Sequence, residues 1–452
     1  MSNKEIMGTA KISSLLLKFS LPATVGMLIN AFYNIVDRIF IGNSSDLGAD
    51  GLAGITITFP VVMIIMAVAL MCGVGGSTLF SINLGERNYD KVKKIVGNSF
   101  SLALITALFC SIVIYLFMDT ILIQFGASEI ILPYAKDYLS IILLGAVFQG
   151  INMTGNNLIR ADGSPKIAML SILIGAGINI ILDPIFIFNF RWGMFGAALA
   201  TIIGQFASTI WVIYYFTKGK ANYKLKLKNM VLEKALAIKI MVTGIPSFFI
   251  QVSGSILNVV LNTTLLKYGG DVAISAMGIV NSVQTLLLMP IIGINQGALP
   301  IIGFNYGANN LDRIKETIKI ASLMATGIAV ICFILTRVFS KEIIMIFNQD
   351  KELVEIGSNM LIYWFMCLPV VGFGMVGSNY FQAIGKVIPA IFLSLSRQLI
   401  ILVPLILFLS SLYGLNGLVL AAPIADVVST ILVAILLTIS LRNLSKKAIL
   451  NE

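Results

Sequence analysis

Hydrophobic segments of roughly 20 or more residues recur along the whole chain, and they constrain the fold more than any other feature. A helix of ~20 apolar residues crosses a hydrocarbon core of ~30 Å. Lipid cannot hydrogen-bond an exposed backbone, so spanning segments must be helices or strands of a closed barrel, and the alternation typical of barrel strands is absent. With 58% hydrophobic and 12% charged residues, the chain lacks the polar surface of a water-soluble protein. We therefore expect an all-α polytopic membrane protein.

Twelve segments meet this description, separated by turn residues and charges. The first is too long and too polar inside to be a cleaved signal peptide, so it counts as a true span. The predicted spans cover residues 12–41, 51–79, 94–118, 131–159, 166–190, 193–217, 235–267, 272–300, 316–339, 355–383, 388–412 and 415–441.

The basic residues orient these spans. With the N-terminus in the cytoplasm, 23 Lys and Arg residues fall on the inner side and 6 on the outer side. This asymmetry matches the positive-inside rule and predicts that both termini face the cytoplasm. The formal net charge of +10 is spread over alternate loops, which is a topology signal rather than a nucleic-acid patch, and we expect no nucleic-acid partner.

An internal repeat relates the two halves. Residues 83–93 and 305–315 share Asn, Gly, Asn, Asp and Lys at matching places, at an offset of 222. The same offset pairs Gly155, Asn157, Ala161 and Gly163 with Gly377, Asn379, Ala383 and Gly385, and an offset of 221 pairs Gly193 and Gly196 with Gly414 and Gly417. A shared offset in three separate places indicates duplication rather than repeated turn chemistry.

The long basic linker between the sixth and seventh spans divides the copies. We predict an N-terminal six-helix lobe at 1–217, a basic cytoplasmic linker at 218–234 and a C-terminal six-helix lobe at 235–452. Each copy has an even number of spans, so both insert in the same orientation. Two pseudo-symmetric six-helix bundles are typical of an alternating-access carrier, in which two lobes rock around a central cleft.

Few ionisable residues lie inside the spans, and each is costly there, at ~2.5–3.5 kcal/mol on insertion scales. Asp37 and Asp183 lie near the outer ends of spans one and five, at a similar depth. Asn179 lies one turn before Asp183, Tyr33 and Asn30 lie one and two turns before Asp37, and Thr201 lies at a similar depth in span six. Such an oxygen-lined site can hold a proton or Na⁺, because two close carboxylates do not both ionise readily.

Alternatives to this cation site remain at this point. Asp183-Pro184 could form a polar helix kink with Asn179 satisfying a freed backbone group, and Asp37 could pair with Arg38. Arg397 and Asp426 are predicted to form an intramembrane ion pair between spans eleven and twelve. Asn30, Met63, Met66 and Met289 are candidates to line an adaptable substrate cleft.

Enzyme and cofactor chemistry find little support in the sequence. The chain has no histidine, and no serine can be matched with a base, so we expect no enzymatic activity and no cofactor. The 4 cysteines lie in apolar segments without metal-ligand spacing. A channel fits poorly, because twofold pseudo-symmetry offers no ring of filter residues.

The motifs, taken in order, resemble those of the multidrug and toxic compound extrusion (MATE) family, specifically its prokaryotic branch. The resemblance covers nearly the whole chain and is carried by residues 33–42, the loop containing Gly85, and residues 160–165, 179–188 and 193–201. It implies a V-shaped pair of six-helix bundles that exports amphipathic, often cationic drugs by antiport against H⁺ or Na⁺. It also implies a functional monomer in the lipid of the bacterial inner membrane.

Carried over residue by residue, the resemblance assigns the coupling cation to the first lobe. The site would comprise Asp37, Asp183, Asn179, Thr201 and Tyr33, with Asn152 and Asn156 of span four as further members and Asp37 as the main protonation site. Some family members carry a second acidic site in spans seven and ten, where this chain offers amides such as Gln251, Asn258 and Asn379 within the membrane. The alternative function is a lipid or lipid-linked oligosaccharide flippase of the same superfamily, whose cleft would need several cations for a pyrophosphate.

Overall fold

The computed structural model describes residues 3–42, 44 and 47–450, apart from the side chains of residues 3–5, 38, 48–49 and 447–450. Within this part the regular structure is helical. The first half holds six long apolar helices, which correspond to predicted spans one to six. They are α1 (Ile12–Gly42), α2 (Gly48–Gly85), α3 (Tyr89–Leu116), α4 (Ile131–Ala161), α5 (Pro165–Pro184) and α6 (Gly193–Thr217).

The second half repeats this pattern with less regular helices. Lys234–Gly307 has 74 residues and is broken at Gly270, which gives α7 (234–269) and α8 (271–307). Leu311–Val338 is α9, and Lys351–Trp364 with Leu368–Ala383 forms one span, α10, bent by 50°. The helical stretch from Val387 is broken at Gly414, which gives α11 (387–413) and α12 (415–450). At ~1.5 Å per residue each part is about one bilayer long, so the prediction of twelve spans is confirmed.

The internal repeat is visible in the backbone. Left-handed φ values occur at Arg87 (60°) and Asn309 (54°), 222 residues apart. They also occur at Gly163 and Gly385, and at Gly193 and Gly414. An asparagine follows each of the first two positions. Asn88 Oδ1 accepts from Lys91 N and Asn310 Oδ1 accepts from Arg313 N, each at 3.3 Å, so equivalent asparagines cap α3 and α9.

Two compact units make up the chain, and their boundaries fall inside helices. Unit 1 consists of Met1–Gly8 and Val25–Phe248, and unit 2 consists of Thr9–Thr24 and Phe249–Glu452. Thus the start of α1 packs with the second half of the sequence, and the start of α7 packs with the first half. We refer to these two pieces, residues 9–24 and 234–248, as the exchanged segments.

Glycines let the exchanged segments pack closely. In unit 1, Gly75 of α2 lies against the carbonyl of Ile240, and Gly244 of α7 lies against the carbonyl of Met71. In unit 2, Gly293 and Gly297 of α8 lie against Thr24 and Ser20. Thr24 Oγ1 also donates to the carbonyl of Pro290 at 3.5 Å. Small residues permit such close helix contact, which drives association where lipid removes the hydrophobic effect.

The basic linker is docked on unit 1 rather than extended. Asp162, after α4, accepts from the Tyr215 hydroxyl at 2.6 Å and from the Asn222 backbone N–H at 3.0 Å. Asn98 of α3 donates to the carbonyls of Asn229 and Val231, both at 3.2 Å. Tyr223 is buried in this contact, and its burial raises the pKa of the phenol.

Candidate cation site

Two aspartates from different helices of unit 1 face each other inside the protein. Asp37 of α1 is 9% exposed and Asp183 of α5 is fully buried. Their carboxyl groups lie within hydrogen-bonding reach of one another. An ionised carboxylate can only accept hydrogen bonds, so two ionised groups cannot share one. A hydrogen bond between these two carboxyls therefore needs a proton on one of them.

An amide and a hydroxyl complete the polar layer around Asp183. Asn179, one turn earlier on α5, donates its Nδ2 to Asp183 Oδ1 at 3.2 Å and lies 3.4 Å from Thr201 Oγ1 on α6. Among the described residues, Asp183 Oδ2 and Asn179 Oδ1 are buried and receive no hydrogen bond. Buried oxygens without a donor are uncommon in folded proteins. These two are positioned to accept from a protonated carboxyl or to bind a hard cation, which prefers oxygen ligands.

The backbone next to Asp183 is irregular. Pro184 ends α5 and lacks an N–H donor, and the chain continues as a π-helical segment over Ile185–Asn189. π-helical turns within helices occur frequently at functional sites. Transporter ion sites are often built on such interrupted helices, because freed backbone groups can adjust around a ligand. An irregular helical backbone thus accompanies the carboxylate pair, and a kink at Asp183-Pro184 stays a prediction.

Tyr33 lies in the electrostatic neighbourhood of both carboxylates, as the helical spacing predicts. The side chain of Arg38 lies outside the described residues, so its pairing with Asp37 stays a prediction. Asn152 has a buried oxygen with no hydrogen-bond partner, but in the described part of the chain no hydrogen bond joins it to either aspartate.

Asn156 belongs to a different network, which corrects its assignment to the cation site. Its Nδ2 donates to the carbonyl of Ala168 at 2.9 Å, and its Oδ1 accepts from Arg160 Nη1 at 2.6 Å. Ala168 lies 15 residues before Asp183 in the sequence, which is about 22 Å along the helix. The neighbouring Asn157 accepts from Arg160 Nη2 at 3.0 Å. The two amides thus solvate the buried guanidinium of Arg160, which forms no ion pair with an acidic residue in the described part of the chain. The sequence did not indicate this role of the amides.

The predicted cleft residues are distributed over both units. Asn30 is exposed on α1 and accepts from Asn34 Nδ2 at 3.3 Å. Met63 and Met66 are partly buried on α2, and Met289 is partly buried on α8 in unit 2. A shared cleft for these side chains stays a prediction.

The ion pair expected in the second half is present. Arg397 Nε donates to Asp426 Oδ1 at 2.7 Å within unit 2. The described residues contain no group of three His, Cys, Asp or Glu side chains arranged to hold a metal.

Comparison with known proteins places these features in a family. The MatE family model matches residues 22–185 and 246–408, once in each half. The multidrug export protein MepA of Staphylococcus haemolyticus is 30% identical over 434 residues, covering 96% of this chain and 95% of that protein. MepA of Staphylococcus aureus is 30% identical over 412 residues, with coverages of 91% and 90%. A crystal structure of MATE in the straight conformation matches with a TM-score of 0.93 at 25% identity, covering 99% of each chain.

Proposed function

The chain belongs to the MatE family, and we propose that it is a multidrug exporter that moves organic compounds outward in exchange for H⁺ or Na⁺ moving inward. The observation that carries this proposal is the pair of buried carboxyls, Asp37 and Asp183, which lie within hydrogen-bonding reach of each other. A carrier needs a buried site whose charge changes when the coupling ion binds. This pair has that property.

The coupling step follows from charge balance. Without a cation the two carboxylates repel each other, and the low dielectric of the interior strengthens that repulsion. A proton or Na⁺ taken up from the outside removes the repulsion and lets α1 and α5 approach. The π-helical segment after Pro184 allows α5 to adjust its hydrogen bonds as this happens. Cation binding thereby favours one arrangement of unit 1, which is how a ligand shifts a conformational equilibrium.

Either coupling ion suits the residues present. A proton needs only the two carboxyls, whereas Na⁺ would use additional oxygens from Asn179 and Thr201. The chain's own residues supply these groups, so the proposal includes no cofactor and no enzymatic step.

The substrates we propose are amphipathic organic cations and similar drugs, in line with the relatives named multidrug export proteins. A flippase for lipid-linked saccharides is less favoured, since it would need unpaired cations for a pyrophosphate. Arg397 is neutralised by Asp426, and Arg160 is buried among amides at the end of α4.

The same proposal covers location and assembly. We propose that the protein is a monomer in the bacterial inner membrane with both termini in the cytoplasm. The excess of basic residues on one side of the predicted spans supports this orientation. The pairing of two six-helix halves in one chain supports a self-sufficient monomer.

The test uses everted membrane vesicles with a dye that reports internal pH. Ethidium is added first and Na⁺ second, to wild type and to Asp37→Asn, with Asp137→Asn as a control because Asp137 is exposed on α4. In wild type and Asp137→Asn we expect ethidium to trigger movement of protons, or transport of ethidium to depend on Na⁺. We expect both responses to be lost in Asp37→Asn. Unchanged transport in both Asp37→Asn and Asp183→Asn would rule out this site.

A further inference from the structure

Unit 2 contains a buried carboxylate that is covered by its own tethered cation. The side chain of Asp426 is 10% exposed and that of Arg397 is 31% exposed, so the arginine lies outermost. In the part of the chain that the structure describes, the guanidinium makes a single hydrogen bond, from Nε to Asp426 Oδ1. An arginine can donate two parallel hydrogen bonds to a carboxylate, whereas Arg397 donates one to Asp426. The ion pair that covers Asp426 is therefore weaker than a two-bond pair between the same side chains would be.

Both members of this pair lie at interruptions of helical structure. Arg397 is part of a π-helical segment, Ser396–Leu402, within α11. Asp426 lies level with the break in α10, because Thr430, one turn later on α12, donates to the carbonyl of Val370 just after the break. Cys367, in the break itself, lies in the electrostatic neighbourhood of Asp426. Interrupted helices are where carriers build binding sites.

The two units share this arrangement but differ in charge. In unit 1 the buried Asp183 lies two residues before a π-helical segment of the fifth span of its half, and among the described side chains no arginine forms an ion pair with it. In unit 2 the π-helical segment again lies in the fifth span of its half, and it supplies Arg397 to the carboxylate. Unit 1 thus places two carboxyls side by side, whereas unit 2 pairs its carboxylate with an arginine.

A buried carboxylate must keep a positive partner, since removing one member of a buried pair costs about 3–5 kcal/mol. An incoming organic cation can take the place of the guanidinium without leaving the carboxylate uncompensated. Arg397 is suited to such an exchange, because its side chain is partly exposed and is held by one bond.

We infer that Asp426 is the counter-ion for cationic substrates in unit 2 and that Arg397 is a tethered competitor which the substrate displaces. This inference rests on the proposed export function and deepens it by assigning charge selectivity to one residue. It does not involve the coupling site of unit 1. It gives the two members of the pair opposite effects on binding, whereas a merely structural ion pair gives them the same effect.

The test measures binding of tetraphenylphosphonium to the purified full-length protein by equilibrium dialysis. Tetraphenylborate, an anion of the same shape, is the matched probe. We expect Asp426→Asn to weaken tetraphenylphosphonium binding by about tenfold or more and Arg397→Gln to strengthen it several-fold. Tetraphenylborate should not follow this pattern. Asp271→Asn, an exposed acid of the same unit, should leave both affinities unchanged.

A second measurement locates the ligand. Cys72, Cys110 and Cys332 are replaced by alanine so that Cys367 is the sole cysteine. We expect tetraphenylphosphonium to slow alkylation of Cys367 in this protein and not in its Asp426→Asn derivative. Equal loss of binding in Arg397→Gln and Asp426→Asn, with lowered melting temperatures in both, would overturn the inference in favour of a structural pair. So would alkylation of Cys367 that the ligand does not slow.

These outcomes separate the inference from the proposed function. The binding results can contradict the inference without contradicting the export function. This is the case if an uncharged substrate still triggers proton or Na⁺ movement in Asp426→Asn. Loss of that movement in wild type would instead contradict the export function.

Discussion

The carbonyl oxygen of Ile240 lies so close to Gly75 that a side chain at Gly75 would overlap it. One turn further along α7, Gly244 stands in the same relation to the carbonyl of Met71. The backbones of α2 and α7 are therefore in direct contact over about one turn. This contact holds the exchanged segment 234–248 in unit 1.

Gly244→Ala should destabilise the protein, because its methyl group must displace the Met71 backbone. Overpacking of this kind costs typically about 1–3 kcal/mol. Gly254→Ala in the same helix is the matched control, since a Cβ there meets no atom within 4 Å. The measurement is the melting temperature of the detergent-solubilised protein. A Gly244→Ala protein as stable as Gly254→Ala would contradict the packing described for α2 and α7.

Thr201→Val should distinguish the two coupling ions. The substitution removes a hydroxyl that lies 3.4 Å from Asn179 Nδ2 and keeps the side-chain shape. A Na⁺ site would lose a ligand, and the half-maximal Na⁺ concentration should rise about tenfold, equal to ~1.4 kcal/mol. Transport driven by a proton gradient should change little, because a shared proton needs only the two carboxyls. Loss of transport under both gradients would show that Thr201 has another role.

Asn156→Ala should lower stability without altering coupling. The substitution leaves the buried Arg160 Nη1 without its 2.6 Å acceptor, and unsatisfied buried donors cost about 1–3 kcal/mol or more. The quantities to compare are melting temperature and the number of cations moved per substrate in vesicles. Ser140→Ala on the exposed part of α4 is the control. A changed cation-to-substrate ratio would return Asn156 to the coupling site.

Asp162→Ala should release the basic linker from unit 1. It removes the acceptors of the Tyr215 hydroxyl and of the Asn222 backbone and side chain. Losing these hydrogen bonds should lower the free energy needed to release the linker by ~1–3 kcal/mol. Trypsin should then cut after Lys224, Lys226 and Lys228 about tenfold faster, because cleavage follows the population of the released linker. Asp137→Asn should have no such effect, since Asp137 is exposed near the opposite end of α4 from Asp162. Equal cleavage rates in the two variants would contradict the docked linker.

Hydrophobicity and charge were sufficient to predict the twelve spans, because a lipid solvent leaves the backbone few alternatives to helix. The repeat also emerged from sequence, since equivalent turns need the same glycines and capping asparagines. Helical spacing brought Asn179 next to Asp183 and Tyr33 next to Asp37. Such neighbours lie on one helix face and follow from 3.6-residue periodicity.

The assignments that changed depend on which helices meet. Asn156 was grouped with the aspartates, yet its hydrogen bonds go to Arg160 and to the first turns of α5. The docking of Asn222 on Asp162 joins residues 60 positions apart, and no local pattern indicates it. Likewise, hydrophobic periodicity does not indicate that the start of α1 packs with the second half of the sequence and the start of α7 with the first half. These contacts are tertiary, and helix propensity and hydropathy carry no information about them.

The exchanged segments impose an order on biosynthesis. Thr24 is made before its packing partner Pro290, which is 266 positions later in the chain. At synthesis rates of ~5–20 residues per second, α1 waits roughly 13 to 50 s before that partner exists. During this interval the glycine-lined contact of unit 2 with Ser20 and Thr24 cannot form. Unit 1 can be complete once residue 248 has been made, whereas segment 9–24 must wait for unit 2, so a gene split at the linker would yield two fragments that each lack a piece of their own core.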